Sequence, residues 1–148
     1  MASELTAVAS VELTVLFNEV DAMEIVWHGH YYKYFEAARS KLCRGLKLDM
    51  NDFKAAAILA PISKSECKYK KSLKYNDDFV VTAKTNYTHE PKLVVYYTIH
   101  RRHDGVLAAT GKTEQLFLDQ NGTLLFEQPS MVKDAFVNYS LKGGSLKA

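Results

Sequence analysis

Only one stretch of this chain can make a long amphipathic helix. Tyr31, Tyr34, Phe35, Ala38 and Leu42 fall at i, i+3, i+4, i+7 and i+11, which is one apolar stripe. Lys33, Glu36, Arg39, Ser40 and Lys41 lie at least partly off that stripe, and Gly45 follows as a helix stop. The spacing therefore predicts a helix over 31–44. Nearly everything after Pro61 reads as strand. Residues 63–74 form a basic run, 79–87 are rich in β-formers, 92–102 contain Leu-Val-Val-Tyr-Tyr-Thr-Ile, and 106–118 follow. His103-Asp104-Gly105 and Asp119-Gln120-Asn121-Gly122 read as tight turns. Ahead of the helix, residues 11–17 alternate, with Val11, Leu13, Val15 and Phe17 on one face. Residues 18–24 read as a polar loop. A short helix is expected around 52–57, and Pro129 opens a last one over 130–138.

That order is strand, helix, then four strands read as an antiparallel meander. A sheet with one face to bury and a single long helix to cover it packs most simply by wrapping around the helix. The expected fold is α+β, one domain over 1–148, with 1–10 and 141–148 as loose ends. Exposed sheet edges invite pairing with a second copy. The 148 residues suit one domain, and 47% hydrophobic with 24% charged residues is a globular composition rather than a disordered one. No apolar run approaches the ~18 residues of a membrane-spanning helix. No basic start followed by an apolar stretch opens the chain, so no signal peptide is read there. Cys43 and Cys67 lack Cys-x-x-Cys spacing, which fits a reducing cytoplasm better than a disulfide scaffold or zinc site. A net charge of +2 does not point to nucleic acid.

The densest chemistry lies between the first strand and the helix. Asp21-Ala-Met-Glu-Ile-Val-Trp-His-Gly-His-Tyr-Tyr holds two carboxylates, two imidazoles, a Trp and two Tyr. The first backbone N–H groups of a helix lack intrahelical partners, so they can polarise an oxygen. His28 and His30 have i, i+2 spacing, but no third metal ligand stands at a recognisable distance, so no metal is expected. His89, His100 and His103 read as strand or surface residues. Glu36 is a candidate helix carboxylate, but its simpler role is an i, i+3 ion pair with Arg39.

Asp21 followed by Val26-Trp27-His28 and Tyr31, then Phe35-Glu36-x-x-Arg39, resembles the signature of the hot-dog thioesterases of the 4-hydroxybenzoyl-CoA thioesterase group. Glu66-Cys-x-Tyr69, Asn76-Asp77-Asp78, Asp104-Gly105 and Ala109-Thr-Gly-x-Thr-Glu-Gln115 extend the resemblance over about 11–129. Two positions depart from it. Glu24 stands where the family has Gly, and His30 where Asn is common. A Glu is costly there if the position needs φ > 0.

The resemblance implies hydrolysis of an acyl-CoA or aroyl-CoA thioester. Asp21 would be the nucleophile or the general base for water. The backbone N–H of His28 would polarise the thioester carbonyl. Glu24, Trp27 and Tyr31 would contact substrate, and Lys92 a phosphate of coenzyme A. Lys70, Lys71, Arg101 and Arg102 are further phosphate candidates, and the plain reading of the 68–74 lysines is a solvated strand face. No cofactor is implied, because coenzyme A belongs to the substrate. The site would lie between subunits of a homodimer or homotetramer. Three alternatives stay open: an acyl carrier protein as thioester donor, a dehydratase or hydratase on the same fold, and a non-catalytic acyl-binding module.

Overall fold

The computed structural model describes residues 5–143. Eight elements follow in order: β1 Thr6–Thr14, α1 Tyr31–Leu46, α2 Met50–Ala55, β2 Ile62–Tyr69, β3 Asp78–Asn86, β4 Lys92–Arg101, β5 Leu107–Leu116 and α3 Ser130–Leu141. The five strands make one sheet in the order β1-β3-β4-β5-β2, antiparallel at every pairing. Its concave face buries Ala7 and Ala9 of β1, Phe79, Val81 and Ala83 of β3, and Leu93, Val95, Tyr97 and Ile99 of β4. The whole apolar stripe of α1, with Cys43 and Leu46 added, packs into that face. Phe35 stacks on Tyr97 with ring centroids 4.5 Å apart, and Tyr34 meets Phe79 at 4.7 Å. Gly111 of β5 makes room for Phe35: a Cβ there would lie 2.3 Å from the ring. This is the expected α+β sheet wrapped around one helix.

Several expectations are corrected in detail. The first strand begins at Thr6, so Thr6–Ser10 are not loose. Ala7 and Ala9 face inward and Val8 is partly exposed, so small inward residues left no alternation to read. The same strand ends at Thr14, and Phe17 turns out to solvent against Tyr75. Gly45 does not stop α1. The helix runs on to Leu46, and Lys47 takes the left-handed turn at φ 63. Burial of both Leu46 and Leu48 drives that extra step. The meander is confined to β3, β4 and β5. β2 crosses to the far edge and pairs with β5 instead of β3. Almost every β2 side chain is exposed, so no apolar face existed to announce its neighbour. β2 also ends at Tyr69, before the last of the lysines assigned to it. Residues 1–4 and 144–148, parts of the expected loose ends, lie outside the described residues. No helix among the described residues is long and apolar enough to cross a membrane.

Candidate active site

The loop after β1 closes on itself as a small hairpin. Val20 bridges Val26, the Asp21 N–H donates to the Ile25 carbonyl at 2.9 Å, and the Glu24 N–H donates to the Asp21 carbonyl at 2.9 Å. Glu24 sits at φ 63. A glycine would take that conformation freely, whereas an L side chain pays roughly 1–2 kcal/mol. The Asp21 carboxylate caps the turn by accepting the Met23 N–H at 2.8 Å. Asp21 is therefore held by its own backbone and only half-buried.

Beyond the hairpin, the Val26 N–H donates to the Leu73 carbonyl at 2.8 Å, which pins the loop to the segment after β2. His28–His30 form a 3-10 turn leading directly into α1. As first residue of that turn, His28 has no carbonyl before it within the turn to accept its N–H. Its own carbonyl accepts the Tyr69 hydroxyl at 3.0 Å. The Tyr69 ring meets Tyr31 edge-on at 4.9 Å. Burial pushes the Tyr31 phenol up to about 12. Burial and the Cys67 thiol beside it do the same for Tyr69, also to about 12. Both phenols keep their protons at neutral pH, so Tyr69 stays a donor to His28.

These groups surround a pocket of about 220 Å³, lined by Asp21, His28, Tyr31, Tyr69, Lys70 and Lys71 among others. The structure thus brings together three of the residues singled out from sequence, Asp21, His28 and Tyr31. It does not bring in the other three. Glu24 is exposed on the hairpin. Trp27 is 47% exposed and packs against the rings of His28 and His30. Lys92 opens β4 opposite Leu116, with Glu90 at 3.3 Å and Glu114 at 3.5 Å. It stands on the order of 20 Å along the strand from Ile99, the β4 residue level with Tyr69 through Ala109. Lys70 and Lys71, weaker candidates in the sequence, line the pocket instead. Tyr69 lines the pocket too; sequence reasoning passed over it, although the Glu66-Cys-x-Tyr69 motif held it. Glu19, at the base of the hairpin, is a carboxylate only 3% exposed, and no motif pointed to it.

A larger cavity, about 730 Å³, opens beside the C-terminal half of α1 between α2 and the 57–60 segment, with Arg39, Cys43, Phe53 and Gln115 in its wall. Glu36 is there as well, in the ion pair with Arg39, whose guanidinium lies 2.5 Å from the carboxylate and also donates to Gln115 at 2.9 Å. Burial works against the Arg39 charge, and the Glu36 carboxylate outweighs it, so the guanidinium is held above its ordinary value. Size alone would favour this cavity. In the smaller pocket Asp21 and the turn that leads into the long helix α1 line one volume. Among the described residues, no group of three His, Cys, Asp or Glu is placed to hold a metal ion.

The model of the thioesterase-like superfamily matches residues 15–136. The chain belongs to that superfamily. A Staphylococcus aureus DHNA-CoA thioesterase has the same fold, with a TM-score of 0.77, 23% identity, and 95% of this chain and 98% of that one covered. A second Staphylococcus aureus protein, solved in complex with CoA, aligns with a TM-score of 0.78 at 17% identity, over 94% of this chain and 87% of that one. A Bacillus subtilis protein named "Putative acyl-CoA thioesterase YneP" is 32% identical over 74 residues, 50% of this chain and 54% of its own length. The chain spans about half the length of the curated relatives it matches. The sheet wrapped around α1 is the hot-dog fold of these thioesterases. Glu24, read from the resemblance as a departure from Gly, takes a glycine-type φ.

Proposed function

We propose that this protein hydrolyses an acyl-CoA or aroyl-CoA thioester to the free acid and CoA. One observation carries the reading: in a chain of the thioesterase-like superfamily, the Asp21 carboxylate and the start of the helix at His28 line the same small pocket. The thioester carbonyl oxygen takes the His28 N–H, where unpaired donors and the helix dipole favour negative charge. In the general-base route, Asp21 takes a proton from water and the hydroxide adds to the carbonyl carbon. The oxyanion collapses, the C–S bond breaks, and the thiolate leaves with that proton. In the nucleophile route, Asp21 adds to the carbon itself, expels the thiolate, and water then hydrolyses the resulting anhydride. Both routes end in acid plus thiol.

Exposed Lys70 and Lys71 at the pocket are the phosphate contacts of this reading. The CoA-bound Staphylococcus aureus relative supports a CoA ester as substrate. The site is completed by a second copy. β2 is an edge strand, and its Tyr69 end adjoins the Asp21 pocket while its Ile62 end lies level with Gln115, in the wall of the large cavity. Antiparallel pairing of β2 with its own copy sets the partner's large cavity beside the Asp21 pocket. Lys92 stands at the Ile62 end of the sheet, so it belongs with the phosphates of the partner's substrate.

The test is thiol release from short, long and aromatic acyl-CoAs by wild type and Asp21→Asn. The expected loss in the variant is at least ~100-fold in kcat, with folding unchanged. A variant keeping more than about a tenth of wild-type turnover removes Asp21 from its role. Release from acyl carrier protein but from no CoA ester would move the substrate to the carrier.

A further inference from the structure

We propose that Glu19 is a positioning residue that sets the distance between the Asp21 carboxylate and the His28 N–H. The inference rests on the thioester-hydrolysis reading above and adds a residue to it. Glu19 is 3% exposed, and every polar part of it is used. One carboxylate oxygen accepts the Leu16 N–H at 2.8 Å and the Tyr34 hydroxyl at 2.9 Å. The other lies 3.6 Å from the Lys33 ammonium. Its N–H donates to the Leu16 carbonyl at 3.0 Å, and its carbonyl accepts the Trp27 N–H at 2.9 Å.

These contacts reach three places at once. Leu16 belongs to the chain entering the loop, Lys33 and Tyr34 lie in the first turn of α1, and Trp27 ends the hairpin. The Glu19–Trp27 bond closes the base of the hairpin that carries Asp21, and Trp27 is bonded directly to His28. The carboxylate anchors that base to α1 through Tyr34. The two groups that must straddle one carbonyl are thus referenced to a single buried residue, whose carbonyl holds Trp27 and whose carboxylate holds Leu16 and α1. A side chain serving stability alone could sit anywhere in the core. Glu19 joins the two arms of the site through its carboxylate and its carbonyl together.

A displacement of about 1 Å between catalytic groups can cost roughly 100-fold in rate. Glu19→Ala, Glu19→Gln and Tyr34→Phe are compared with wild type well below each midpoint of unfolding, scored per folded enzyme. The Ala variant should lose about 30–100-fold in kcat with KM within about threefold, and the Gln variant, which keeps an acceptor oxygen, should recover most of it. Tyr34→Phe should fall between them. In an Asp21→Asn background, Glu19→Ala should cost nothing further. Amide exchange across 20–28 should accelerate in Glu19→Ala and in Tyr34→Phe, while the later turns of α1 stay protected. That readout needs no turnover, so it judges Glu19 even if wild type releases no thiol, an outcome that sinks only the thioesterase reading. Wild-type kcat in Glu19→Ala, full additivity with Asp21→Asn, or unchanged exchange across 20–28 would overturn the proposal. If the Ala variant does not fold, unchanged exchange and kcat in Tyr34→Phe overturn it equally.

Discussion

Gly111→Ala should expose how tightly the sheet closes on α1. A Cβ at 111 would stand 2.3 Å from Cε2 and 2.4 Å from Cζ of Phe35, where carbon atoms prefer roughly 3.5–4.0 Å. The Phe35 ring would have to retreat by more than an ångström. It cannot do so cheaply: Phe35 is 1% exposed and is stacked on Tyr97, which is itself held by a 2.8 Å hydrogen bond to Thr113. Overpacking of this kind costs about 1–3 kcal/mol. Replacing a strand glycine returns about 0.5–1 kcal/mol of backbone entropy. The net expectation is destabilisation of about 1 kcal/mol, or a midpoint lower by roughly 2–4 °C for a domain of this size. Thermal and urea unfolding followed by circular dichroism would measure it, at one protein concentration because association shifts the midpoint. The mechanism is tested by a cycle with Phe35→Leu, which removes both clashing ring atoms. In that background Gly111→Ala should be neutral or stabilising, a coupling of about 2 kcal/mol. Equal cost in both backgrounds, or no cost in wild type, would refute the steric argument.

Glu24→Gly relieves about 1–2 kcal/mol of left-handed strain and gives back about 0.5–1 in entropy, so a gain of about 0.5–1 kcal/mol is expected in urea melts. A loss of stability would instead reveal a contact of the Glu24 carboxylate that outweighs the strain. The Arg101 guanidinium grips Asp104 through two hydrogen bonds and, with the Val106 N–H, holds its carboxyl down to about 2. A depressed folded value stabilises above the unfolded one and is lost as pH falls through the folded value. The stability gap between wild type and Asp104→Asn should therefore be full at neutral pH, narrow below about 4 and close near 2, as read from urea midpoints across that range. A gap constant down to pH 3 would contradict it. Burial pushes the Cys43 thiol up to about 11, and the residue is 5% exposed, so iodoacetamide at pH 8 should label half-buried Cys67 first. Peptide mass analysis showing equal labelling would count against that.

The sequence alone determined the features that depend on near neighbours along the chain. The stripe from Tyr31 to Leu42 is buried as its spacing requires, because helical periodicity is a local property that any apolar partner satisfies. The turns at Gly105 and Gly122 have positive φ, as their residues predict. The Glu36–Arg39 pair forms across one helical turn. The motif also carried Asp21, His28 and Tyr31 to one pocket, because all three lie within a short loop and the helix start that follows it. Tertiary structure decided everything set by distant backbone. β2 lies beside β5 because sheet hydrogen bonds, not side-chain pattern, choose the neighbour of a strand exposed on both faces. That placement brings Tyr69, Lys70 and Lys71 to Asp21 and leaves Lys92 far along the sheet. The packing of the loop on α1 buries the Glu19 carboxylate, with the Leu16 N–H and the Tyr34 hydroxyl around one oxygen. A carboxylate buried away from water needs such partners; Leu16 is a local one, but the Tyr34 hydroxyl reaches Glu19 only through packing of the loop on α1.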